Sequence, residues 1–149
     1  MSDARTHHVS ISPAHPIHVI LAAFPIACFT AAFLTDITYA RTYEMMWANF
    51  SIWLITAGLV MGVLAAIAGI VDYLVHRKDR SRRSASLHTI GNVLVLILSL
   101  VNAFVHSRDG YTSVVPTGLT LSGIVAVLVL VSSWLGSALA YRSSPEGTL

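Results

Sequence analysis

Two histidines open apolar stretches at places where an imidazole could ligate iron. His18 follows His15 and Pro16 at the start of the first apolar run, and His88 opens the third. A neutral ring nitrogen binds a metal while the other is fixed by a carbonyl or carboxylate, so histidine suits both haem and bare metal ions. Asp72, near the end of the second run, is a carboxylate that could orient such a ring or ligate directly. Asn92 follows His88 by one helical turn. From His88 the polar positions continue through Asn92, Ser99, Asn102 and His106, with apolar Val95 filling the missing step. Steps of three and four put them on one stripe of a helix whose other faces are apolar. Within hydrocarbon that stripe must turn toward other helices.

The elements that position these groups are legible from composition. The chain has 149 residues, 55% of them hydrophobic and 11% charged, and a mean hydropathy of +0.72. Four apolar runs, at about 17–35, 52–75, 87–105 and 119–141, each approach the ~20 residues that cross a bilayer. The expectation is an all-α, transmembrane four-helix bundle. Residues 1–14 form an N-terminal tail, 15–142 a single membrane domain and 143–149 a C-terminal tail. Arg5, Arg77, Lys78, Arg80, Arg82, Arg83 and Arg142 fall on one side of four spans, and only Arg41 and Arg108 on the other. That bias predicts both termini in the cytoplasm, N-in and C-in, in a bacterial inner membrane. Anionic lipid head groups account for the basic loop, and no motif supports nucleic-acid binding.

Other signals refine the spans. Cys28 is the single cysteine, so no disulfide forms within the chain and no Cys-x-x-Cys-His haem attachment exists. Pro25 removes an amide inside the first span, which is expected to leave the membrane near Thr35 and Asp36. Tyr39, Tyr43, Trp47, Phe50 and Trp53 read as an interfacial aromatic belt. Gly58, Gly62, Ala65, Gly69, Asp72 and His76 share a stripe that lets a neighbouring helix approach closely. Gly118, Ser122, Ser132 and Gly136 offer a similar face on the fourth span. Arg108-Asp109-Gly110 reads as a turn. No internal repeat is expected.

Eighteen residues separate His88 from His106, about 27 Å along a helix, so they cannot share a site. His106 is expected to stand alone at the far end as a packing residue. Three readings of the near cluster follow. A b-type haem could be held by His18 and His88, with Asp72 orienting a ring. His15, His18, Asp72 and His88 could instead bind a transition-metal ion such as zinc, iron or manganese. In the third reading the histidines are hydrogen-bonded packing groups of a structural anchor subunit. A polar stripe could also line a transport path, for which four short spans would need to form a homo-oligomer. No nucleophile arrangement, phosphate loop or dinucleotide fingerprint supports an independent enzyme.

His15-Pro16-Ile17-His18, Gly69-x-x-Asp72 and His88-x-x-x-Asn92, with the order and spacing of the four spans from about His15 to Tyr141, resemble the family of small membrane proteins called domain of unknown function 2231. Its members occur with Rieske domains, c-type cytochromes and sugar dehydrogenases. The resemblance implies electron transfer between a partner redox protein and quinone, and names no cofactor. The leading expectation is a haem-binding membrane subunit that carries electrons and is not itself a catalyst. A site at the cytoplasmic end would need a cytoplasmic partner, or another route across, to serve a secreted dehydrogenase.

Overall fold

The computed structural model describes residues 16–75, 82–108 and 114–142. The N-terminal tail with His15, the basic connection 76–81 with His76, the turn at Asp109-Gly110 and the C-terminal tail lie outside the described residues. So does the side chain of Asp72. Four helices are present: α1 Pro16–Thr42, α2 Met45–Val75, α3 Arg82–His106 and α4 Leu119–Arg142. Each contains a segment long and apolar enough to cross a membrane, from 21 to 27 residues. The fold is an all-α transmembrane four-helix bundle.

Around the bundle α1 packs on α2, α2 on α3, α3 on α4 and α4 back on α1. α1 and α3 therefore face each other across the diagonal. α1 and α3 begin, and α2 and α4 end, at one end of the bundle, hereafter the terminal end; the opposite end, which holds the α1–α2 turn, is the hairpin end.

The helices run further than the apolar runs suggest. α1 continues past Asp36 to Thr42 and stays helical through Pro25. The turn into α2 takes only Tyr43 and Glu44, with Tyr43 in the left-handed region at φ 57°. Thr42 Oγ1 accepts the Glu44 amide at 3.3 Å, which supports this tight reversal. Its consequence is that most of the aromatic stretch is helical. Tyr43, Phe50 and Trp53 are exposed as an interfacial belt requires, whereas Tyr39 is fully buried with Ala48 and Val114. The approach to α4 is a π-type turn, Val114–Gly118, in which Val115 is extended, as steric clash with a following proline favours.

Lipid-facing positions keep large apolar side chains, among them Ile67, Phe104, Val127 and Trp134. That surface is compatible with hydrocarbon and needs no further cover. The interior is layered. Phe29, Val95, Val125 and Val129 form an apolar layer at mid-height. Polar residues lie on both sides of it. Val95, the apolar step in the polar stripe of α3, belongs to this layer and splits the stripe into two clusters.

Small residues set the α1–α2 contact, as the stripe on α2 predicts. A Cβ on Gly58 would fall 2.6 Å from Phe29 Cε1 and 3.1 Å from Cys28 Cβ. One on Gly62 would meet only the terminal Leu96 Cδ2 closely, at 2.8 Å. Phe29 is locked in the apolar layer, while a leucine methyl can swing aside. Gly58→Ala should therefore destabilise the bundle by about 1–3 kcal/mol, and Gly62→Ala by less. Unfolding of the detergent-solubilised variants checks the order.

Candidate functional site

At the terminal end, His18 and His88 are held in the same way by different helices. His18 Nδ1 donates to the Ala65 carbonyl of α2 at 3.0 Å. His88 Nδ1 donates to the Ser132 carbonyl of α4 at 3.1 Å. Four residues beyond each carbonyl stands a glycine against the ring. A Cβ on Gly69 would lie 3.1 Å from His18 Cε1, and one on Gly136 would lie 3.0 Å from His88 Cε1. Each imidazole thus rests in a notch that an alanine would crowd.

Because a carbonyl only accepts, both rings carry hydrogen on Nδ1, and in the neutral ring Nε2 is then the nitrogen that can ligate. This is how metal-ligating histidines are commonly oriented. At both histidines a backbone carbonyl holds Nδ1, while the side chain of Asp72, the anticipated orienting group, lies outside the described residues. The two Nε2 atoms differ in one respect. Asn92 Nδ2 donates to His88 Nε2 at 3.0 Å, and Ser132 Oγ holds the amide by donating to Asn92 Oδ1 at 2.9 Å. The position of α1 corresponding to Asn92 is Ala22, which offers no such group. Among the described residues no group of three or more His, Cys, Asp or Glu is placed to hold a metal ion.

The hairpin end holds a second polar cluster. Asp36 and His106, both buried, meet across the diagonal with His106 Nε2 3.0 Å from Asp36 Oδ1. His106 Nδ1 donates to the Asn102 carbonyl at 3.0 Å. Ser122 Oγ donates to Asp36 Oδ2 at 2.5 Å and accepts from Asn102 Nδ2 at 2.8 Å. The expectation that His106 stands alone is thus corrected, as is the expectation that α1 ends near Asp36. With one carboxyl oxygen met by an imidazole nitrogen and the other by a hydroxyl, Asp36 can lie inside the bundle.

These placements show a correspondence in position between the two hairpins. Asp36 follows His18 by 18 residues, and His106 follows His88 by the same interval. Eighteen residues make five full helical turns. Each pair therefore lies on one line of its helix. Because Asp36 meets His106 across the diagonal, both lines face the bundle centre, and His18 and His88 sit on them at the terminal end. The carbonyl-plus-glycine notches, Ala65 with Gly69 and Ser132 with Gly136, complete the correspondence. The α1–α2 and α3–α4 hairpins thus hold their opening histidines in the same way.

Residues 14–145 match a family described as a predicted membrane protein, domain of unknown function 2231. The chain belongs to this family. No curated protein and no solved structure matches it. The family assignment covers both hairpins and every described residue of the two polar clusters.

Asp36 was absent from the sequence-derived site. The equal intervals from the two opening histidines to Asp36 and His106 were the available signal. Replacing Asp36 with alanine should leave His106 and Ser122 unmatched and cost about 3–5 kcal/mol. The double variant Asp36→Leu, His106→Leu should recover much of that loss, because an apolar pair of similar bulk leaves no uncompensated charge. Denaturation in detergent measures both.

Proposed function

We propose that this protein is a membrane electron-transfer subunit that binds one b-type haem through His18 and His88. The observation supporting this most strongly is the duplicated histidine geometry. Two inward-facing lines of α1 and α3 each begin with an imidazole whose Nδ1–H is fixed by a carbonyl, which makes Nε2 the nitrogen to ligate, although at His88 it accepts from Asn92 in this structure. A transmembrane bundle is a recurrent place for a cofactor held by side chains of facing helices. The donor set suits haem iron, which takes one neutral imidazole on each axial side. Bound haem would supply reversible one-electron chemistry.

The protein's own residues supply the rest. Ala65 and Ser132 carbonyls fix the tautomers and raise the basicity of the rings. Gly69 and Gly136 let each ring seat against its neighbouring helix. Asn92 covers His88 Nε2 and must turn aside for that nitrogen to bind iron. The lost amide contact costs about 0.5–1.5 kcal/mol, small beside coordination. Quinone and a partner redox protein such as a dehydrogenase, Rieske protein or c-type cytochrome are the partners this reading implies. The transition-metal alternative requires His15 and the Asp72 carboxylate to join His18 and His88. An anchor subunit without cofactor is the remaining reading, in which the same carbonyl contacts serve packing alone.

The basic residues gather at the terminal end, so that end is assigned to the cytoplasm of a bacterial inner membrane. A cysteine introduced in the connection 76–81 of the Cys28→Ser chain should react with an impermeant thiol reagent from the cytoplasmic face only. Reaction from the opposite face would reverse the assignment.

The decisive experiment is an oxidised-minus-reduced optical spectrum of the purified protein, with metal analysis of the same sample. A b-type signal lost in His18→Ala and in His88→Ala, and retained in Asn92→Ala, is expected. Bound metal without porphyrin would favour the metal centre. Neither, in a folded sample supplied with haem, would favour the anchor subunit.

A further inference from the structure

The Asp36–His106 pair at the hairpin end lies five helical turns from the histidines of the proposed haem site and is independent of that reading. Its hydrogen inventory can be worked out contact by contact. The carbonyl of Asn102 can only accept, so His106 Nδ1 must carry a hydrogen at that 3.0 Å contact. On the other side of the ring, Nε2 stands 3.0 Å from Asp36 Oδ1. A bare ring nitrogen facing a bare carboxylate oxygen would set two lone pairs against each other, so a hydrogen lies between them. The alternative tautomer, with hydrogen on Nε2 alone, would set the Nδ1 lone pair against the carbonyl of Asn102. The remaining contacts supply no hydrogen to this line, since Ser122 donates to Oδ2 and Asn102 Nδ2 donates to Ser122.

The geometry points to a proton-binding site: Asp36 and His106 together hold one proton more than an aspartate and a neutral imidazole, shared along the Nε2–Oδ1 line. The bound ligand is the proton itself. With it the pair is neutral overall, as imidazolium and carboxylate or as imidazole and carboxylic acid. Without it a net negative charge would remain inside the bundle, with only Ser122 as a donor to the second carboxylate oxygen. That charge would be costly at membrane depth.

Among the described residues no further charged group faces the pair. α2 has no titratable side chain before Asp72, the π-type turn has none, and α4 has none before Tyr141. From α1 the buried Tyr39 phenol is the nearby titratable group; Arg41 and Glu44 are exposed beyond it, and Arg108 is exposed after α3.

Two measurements on the full chain in lipid test this. Nitrogen-15 NMR of labelled histidine and infrared spectroscopy of the Asp36 carboxyl, both at pH 7, should find the extra proton. Either an imidazolium at His106, or a protonated carboxyl band that disappears in Asp36→Asn, meets the expectation. A neutral His106 beside an ionised Asp36 overturns it. Ser122→Ala leaves both proton-sharing atoms in place and should keep the signal, which serves if Asp36→Asn fails to fold.

Discussion

Inside a bilayer a polar side chain has no water to fall back on, and this constraint organises the whole bundle. Asp36 shows it most sharply. A carboxylate in the middle of an apolar helix is tolerable only with a partner, and its partner comes from the helix diagonally opposite. That contact fixes the rotation of α1 against α3. With five turns between Asp36 and His18, and five between His106 and His88, it also fixes which way the terminal-end histidines face. Ser122 and Asn102 then tie α4 into the same network.

The apolar layer of Phe29, Val95, Val125 and Val129 gives the bundle a second property. It separates the two polar clusters, so the stripe of α3 is not a continuous polar path through the protein. Each cluster is built from contacts between its own helices, one using backbone carbonyls and glycine notches, the other a buried acid and base. The transport-path reading of the stripe therefore loses its continuity among the described residues, while a cofactor site at one end and a proton site at the other remain compatible with it.

Much of this was legible in the sequence. Four spans, the small-residue face of α2 and the inward stripe of α3 all follow from hydropathy and helical spacing, and Ser99, Asn102 and His106 are buried as that stripe requires. The helix ends were less legible because aromatic residues and Asp36 resemble interface signals; Tyr39 and Asp36 are instead buried by partners far along the chain. The notches at Ala65 with Gly69 and Ser132 with Gly136 were half visible as small-residue faces. Spacing alone does not show that a histidine from another helix rests in them. The correspondence between the hairpins is faint in the sequence because they share geometry at a few positions and little side-chain identity.

The one place where the halves must differ is the diagonal contact. A symmetric dimer of the first hairpin would set aspartate against aspartate there, and a dimer of the second would set histidine against histidine. Two like groups cannot share a proton as an acid and a base do. Joining both hairpins in one polypeptide removes the requirement for identical halves, so complementary groups can occupy symmetry-related positions. Covalent linkage thereby makes possible an asymmetry that a homodimer of the same shape could not hold at its axis.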